Sequence, residues 1–257
     1  MYKYLCLCII VILIIIVIYN IRIENFTNSV DVCTKKADNT SINLVEDKWT
    51  SDFKQRFEVH EPNTNLKLKE LLKDLPNNSY IIDVGAHVGD TGLYLCKILK
   101  ENYNYKNIKV IFIDPDNTKI DFIKKMAEKN NLDNLVTLNY GVNSKKENGN
   151  IDKSTHAGGW KIKKNENGDI KLDTIDNLCK NMNISMIHID VEGMEYDCLL
   201  GSINTINNVK YIMIELNSIT ERTNEVNFLK KNNFIHIPDD KIKNENGNNL
   251  FKNTNFN

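Results

Sequence analysis

The sequence predicts an α/β fold of Rossmann type, with a mostly parallel sheet and a terminal antiparallel strand, carried behind an N-terminal transmembrane helix. Three observations predict it. The chain opens on a long apolar run, a glycine-rich turn joins an apolar strand to an amphipathic helix across 80–99, and two later apolar strands, 109–113 and 185–190, end in acids. The 257 residues suit one well-buried domain with appendages. Lys plus Arg number 33 against 34 Asp plus Glu, so no basic field draws the chain onto nucleic acid, and no nucleic-acid partner is expected. Of the six cysteines, Cys6 and Cys8 lie in the apolar run. The others form no CxxC pair or Cys/His cluster, which excludes a zinc finger and a disulfide framework. Cys96 and Cys198 fall on apolar helix faces and read as buried thiols.

Residues 5–19 are all apolar, aromatic or Cys, and the run from Tyr4 to Ile23 has about the 20 residues that a membrane-crossing helix needs. A cleaved signal peptide would carry a shorter apolar region and small residues at its cleavage site, whereas Tyr19-Asn20-Ile21-Arg22 follows here. Residues 1–23 are therefore read as a single-pass anchor. Lys3 on one flank and Arg22, Lys35 and Lys36 on the other leave its orientation unassigned. With a cytoplasmic N-terminus, the sequons at Asn25, Asn39 and Asn183 would face a lumen. Residues 24–60, polar with scattered aromatics (Trp49, Phe53, Phe57), read as a stalk and linker leading into a short helical approach, and 61–257 as the folded domain.

Within that domain, Leu68, Leu71, Leu72 and Leu75 recur at helical spacing and stop at Pro76, predicting a helix over 65–75. Tyr80-Ile-Ile-Asp-Val84 is a short apolar strand, and Gly85-Ala-His-Val-Gly89 turns it into a helix over 90–99. Lys109-Val-Ile-Phe-Ile113 is the next strand and ends in Asp114-Pro115-Asp116; a helix over 118–130 and a strand over 136–140 follow. The segment Ser154 to Trp160 reads as an acceptor lid, with Trp160 stacking on a sugar ring, or as an ordinary hairpin. Residues 185–190 form a buried strand that feeds a helix through Gly193, and 234–237 and 249–252 read as the last, antiparallel strands.

The glycine turn carries the first chemical information. A dinucleotide site reads G-x-G-x-x-G, but this turn is D-x-G-x-x-x-G, with an acid at the strand end where a pyrophosphate would be repelled. A zwitterionic amino-acid tail with a sulfonium tolerates that acid. At the tip of the second strand Asp114, with Asp116 as fallback, can accept hydrogen bonds from ribose hydroxyls, and Gly141-Val142-Asn143 falls where a loop would flank adenine. Asp190 and Glu192 stand at the carboxyl edge of the sheet, where open α/β folds bind ligands; Glu195 reads as a helix N-terminal acid.

These blocks resemble the FkbM-type methyltransferases. The matching residues are Asp83-Val-Gly-Ala-His-Val-Gly89, Asp114-Pro115, Leu172-Asp173-Thr-Ile-Asp176, His188-Ile-Asp-Val-Glu-Gly-Met-Glu195 with Leu199 and Gly201, and Ile214-Glu215. They cover about residues 78–217 in the family's order. The resemblance implies a class I methyltransferase sheet, S-adenosyl-L-methionine as donor, and O-methylation of a hydroxyl, often on a sugar or secondary metabolite. His87 stands where the family usually has Asn, and His188 where it usually has Lys.

The expected cofactor contacts are Asp83, Gly85, Ala86, His87, Gly89, Asp114 and Asn143. Asp190, Glu192 and His188 are the expected catalytic groups, orienting and deprotonating the acceptor. His188 has a second reading as a satisfied core histidine, and a Mg²⁺ held by Asp190 and Glu192 is a variant of the acid-base scheme. Competing functions are a membrane-anchored glycosyltransferase, for which Asp114-Pro-Asp116 is a poor metal motif, a nicotinamide oxidoreductase, disfavoured by the glycine spacing, and a non-catalytic binding module.

Overall fold

The computed structural model describes residues 33–154 and 159–256. From Thr34 onward the chain forms one compact unit. It begins with a small two-stranded sheet, β1 (Cys33–Lys35) and β2 (Ser41–Asn43), and two helices, α1 (Thr50–Val59) and α2 (Pro62–Leu71). Alternating elements follow: β3 (Tyr80–Val84), α3 (Asp90–Asn102), β4 (Lys109–Ile113), α4 (Asn117–Lys129) and β5 (Leu135–Leu138). An inserted sheet is built from β6 (Gly141–Val142), β7 (Glu147–Asp152), β8 (Lys161–Lys164) and β9 (Ile170–Asp173). The chain then returns through α5 (Ile175–Leu178), β10 (Ile184–Ile189), α6 (Glu195–Leu200), β11 (Tyr211–Glu215), α7 (Thr223–Lys231), β12 (Phe234–Ile237) and β13 (Asn248–Asn253).

The main sheet has seven strands in the order β12-β13-β11-β10-β3-β4-β5. β5, β4, β3, β10 and β11 are mutually parallel, and β13 lies antiparallel between β11 and β12. β12 is therefore antiparallel only to β13 and shares the direction of the rest, which corrects the expectation of two antiparallel strands. The chain reverses its direction of growth between β3 and β10, so the carboxyl ends of these two neighbours open the crevice where such sheets bind ligands.

The central strands read as near-continuous apolar runs because both faces are covered. Their side chains divide by parity, apart from a register shift between Ile184 and Met186. Ile81, Val110, Phe112, Met186 and Met213 pack into one core with α1 to α4, and Ile82, Val84, Ile111, Ile187, Ile189, Ile212 and Ile214 into the other with α5 to α7. Cys96 and Cys198 are buried thiols, as expected, one in each core.

The stalk expected over 24–60 is corrected across its described part. Phe53 and Phe57, four apart on α1, are fully buried, stack on each other at 5.3 Å, and Phe53 reaches Phe122 of α4 at 5.8 Å. Ile42 and Leu44 are buried in the same core. Burying each phenyl ring contributes roughly 1.5–3 kcal/mol, so this segment belongs to the domain. The transmembrane helix expected at 1–23 lies outside the described residues; among those described, no helix is long and apolar enough to cross a membrane.

Candidate functional site

Where β3 leaves the sheet, Gly85 adopts φ +80°, and a Cβ there would stand 1.8 Å from the backbone oxygen of Asp190. The Asp190 amide in turn donates to the Val84 carbonyl at 3.0 Å. The glycine is needed because two strand tips touch through their backbones. Gly89, at φ +82°, opens α3. His87 is also left-handed, at φ 49°. Asn is enriched several-fold in that region and so is His, which is why a histidine can replace the family's Asn here. Its side chain approaches Asp52 of α1, Nε2 to Oδ2 3.6 Å, and meets Trp49 edge-on at 6.3 Å.

The His87 amide donates to Asp114 Oδ2 at 2.9 Å, and the Asp116 amide to Asp114 Oδ1 at 2.8 Å. Asp114 is thereby fixed at the tip of β4. Burial pushes its carboxyl up to about 6. Asp116 is committed elsewhere: its Oδ1 caps α4 by accepting from the Thr118 amide at 2.8 Å and hydroxyl at 2.7 Å. Asp114 therefore remains the group able to hold a ribose.

These elements line one cleft at the carboxyl edge of the sheet, the usual place for a ligand in such a fold. Its walls include Gly85, His87, Asp114, Tyr140, Gly141 and Val142, with Ile151 and Ile162 from the inserted sheet and Asp190 and Glu192 from the β10 tip. Arg56 of α1 and Lys119 of α4 also line it and escaped the sequence reading, while Trp160, read there as part of an acceptor lid or a hairpin, is a wall of this cleft. Trp160 stands edge-on to Trp49 at 6.1 Å, and Lys119 Nζ lies 4.5 Å from the Trp160 ring centre. The rest of the expected lid, 155–158, lies outside the described residues.

Several expected site residues are elsewhere. Asp83 and His188 face each other across β3 and β10 and bond, Nδ1 to Oδ1, at 2.8 Å. Both are buried, and neither lines the cleft. Burial alone would lower the His188 pKa, but the hydrogen bond and charge of Asp83 raise it to about 9. The expectations of a cofactor contact at Asp83 and a catalytic group at His188 are corrected to a mutually neutralising pair beneath the loop; the core-histidine reading of His188 is the one its position matches. Asn143 is fully buried, with its amide nitrogen bonded to Glu147 and its backbone pressed against Gly201, so Tyr140 to Val142 replace it at the cleft. Ala86 and Gly89 shape the turn without lining the cleft.

Asp190, Glu192 and Glu215 form the other side of the site. Glu215 ends β11, next to the β10 tip, and one oxygen from each of the three carboxylates lies within 4.8 Å of the others. Burial and the adjoining Asp190 and Glu192 push Glu215 up to about 9. Its position after Ile214 made it visible as the acid that closes a late strand, but not as a partner of Asp190. Glu192 and Gly193 both take positive φ, 53° and 104°, making the sharp turn that presents the acids. Glu195 accepts from the Gly193 amide at 2.8 Å and meets Arg222 at 3.4 Å, a structural role as expected.

The family model of the methyltransferase FkbM domain matches residues 83–239. No curated protein matches the chain. A methyltransferase from Geobacter sulfurreducens shares the fold at 13% identity and TM-score 0.50, over 90% of this chain and 97% of that one. A methyltransferase FkbM from Methylobacillus flagellatus KT aligns at 14% identity and TM-score 0.47, over 80% of this chain and 61% of its own. The glycosyltransferase and nicotinamide readings give way to this assignment. The cleft also suits an adenosyl donor: Asp114 is held at the β4 tip, where its carboxylate can accept from ribose hydroxyls, and Gly85 lines the cleft at the neighbouring strand tip. The chain belongs to the FkbM methyltransferase family, and its methyl donor is S-adenosylmethionine.

Proposed function

We propose that this chain transfers a methyl group to a hydroxyl oxygen of a sugar, glycan or small metabolite, with Asp190 and Glu192 orienting the acceptor and Asp190 taking its proton. The observation that carries the reading is the carboxylate cluster at the β10 and β11 tips, which shares the cleft's rim with the cofactor loop. The donor supplies an electrophilic methyl on a sulfonium. As the new O–C bond forms, the acceptor's O–H proton passes to a carboxylate already placed at the strand tip. Glu215 holds its own proton up to about 9, so it steadies the cluster while Asp190 receives the hydroxyl proton. Gly85, His87, Asp114 and the 140–142 segment are the proposed cofactor contacts.

The same three oxygens could bridge a Mg²⁺ ion, and turnover after exhaustive chelation separates the two versions: full activity ends the metal one. The main test is production of S-adenosylhomocysteine from S-adenosylmethionine over a panel of sugars, glycans and phenolic metabolites. Donor binding without turnover on any of them would make the chain a binding module. We further propose that residues 1–23 hold the enzyme to a membrane; release of the full-length chain into the soluble fraction by alkaline carbonate would defeat that proposal.

A further inference from the structure

The order of strand tips across the cleft sets the direction in which the donor lies. Tyr140 follows β5, Asp114 ends β4, Gly85 follows β3 and Asp190 follows β10, and these strands are consecutive in the sheet. With the adenine beside Tyr140 to Val142 and the ribose on Asp114, the amino-acid tail reaches the β3 and β10 tips. That tail is a zwitterion, so both signs of charge must be met there.

The cation at that end is Arg56. Of the described basic residues that line the cleft, Lys119 sits at the ribose end, where burial lowers its pKa against the opposing charges of Asp114, Asp116 and Asp52, and His87 is engaged with Asp52. Arg56 comes from α1, outside the family match at 83–239. Its Nε donates to Asp90 Oδ1 at 3.1 Å, and the side chain makes no other hydrogen bond among the described residues. The two Nη groups are left as donors on a side chain that lines the cleft and is 20% exposed. Asp90 is the first residue of α3, the helix fed by the glycine turn. Burial would raise Asp90, but the Arg56 charge, with His60 and Lys36, holds it down at about 2, so the anchor of the guanidinium stays ionised.

We propose that Arg56 recognises the α-carboxylate of the donor's methionine tail, through the Nη edge that Asp90 leaves unused. The segment ahead of the family motifs thus supplies part of the cofactor site. This inference rests on the cofactor assignment, and its test separates the two. The probes are S-adenosylhomocysteine and S-adenosyl-3-thiopropylamine, the same molecule without its carboxylate, titrated calorimetrically against the full-length chain and its variants.

The wild type is expected to prefer S-adenosylhomocysteine by about tenfold or more, the range of a charge-assisted hydrogen bond. Arg56→Met should bring the preference below about threefold while the amine binds as before, and Arg56→Lys should keep part of it. An undiminished preference in Arg56→Met overturns the proposal. So does loss of both ligands by Arg56→Met in a chain that melts as the wild type does, because the carboxylate contact is absent from one of them. If the wild type binds neither ligand, the cofactor assignment falls and the proposal falls with it.

Discussion

His188 and Asp190 are two residues apart at the end of one strand, yet their surroundings are opposite. His188 meets Asp83 across the sheet, cation against anion, and the pair closes on itself in the core. Asp190 meets Glu192 and Glu215, acid against acid, and Glu215 is driven to keep its proton. A buried pair that neutralises itself has little left for a ligand. A cluster of like charges at a cleft retains unmet demand for a proton, a cation or hydroxyl donors, and that demand is what catalysis uses.

The comparison can be broken at either end. Asp190→Asn should lower turnover by about 10²- to 10⁴-fold, the usual worth of a general base, while S-adenosylhomocysteine binding stays near wild type. Wild-type turnover would remove Asp190 from the chemistry. Gly85→Ala places a Cβ into the Asp190 carbonyl and demands a strained φ, so it should abolish measurable donor binding in calorimetry. On the quiet side, Asp83→Asn should cost stability, about 3 kcal/mol in urea unfolding, because it strands His188. Replacing both Asp83 and His188 by Leu should recover much of that loss while donor affinity changes little; strong loss of affinity in a folded double variant would restore Asp83 to the cofactor site.

The remaining effect is in pH dependence. His188 is raised from about 6.5 to about 9 on folding, so its stabilisation is complete below 6.5 and disappears as pH rises through 9. Glu215 is raised from 4.5 to about 9, so the folded chain holds a proton that the unfolded chain releases, and stability falls across that window too. Thermal unfolding should therefore shift downward between pH 6.5 and 9. Glu215→Gln should flatten the decline from its start near 4.5 and leave the His188 part in place.

What the sequence made legible was local. The turn at 85–89 and the block at 190–193 announce themselves because strand, turn and acid are contiguous, and the apolar strands at 80–84, 109–113 and 184–189 need no partner to be recognised. The pairing of Asp83 with His188 is a matter of register between strands that lie far apart in the chain, and no spacing encodes it. The inserted sheet was missed because its strands, such as Glu147–Asp152 and Lys161–Lys164, carry Asn, Lys and Glu with few apolar residues. The place of helix α1 in the core was hidden for a related reason: Phe53 and Phe57 bury one narrow stripe, while Asp52, Lys54, Gln55 and Arg56 give the segment the polarity of a linker.

At Gly85 the backbone of the neighbouring Asp190 fills the space a side chain would take. For an engineer this divides the cleft into a floor and walls. The floor is main chain against main chain, and substitution there moves two strand tips at once. The walls, Ile151, Ile162 and Trp160, are side chains that can be exchanged one at a time. New acceptors should accordingly be selected from libraries in the inserted sheet, with Arg56 and the D-V-G-A and D-V-E-G blocks left as they are.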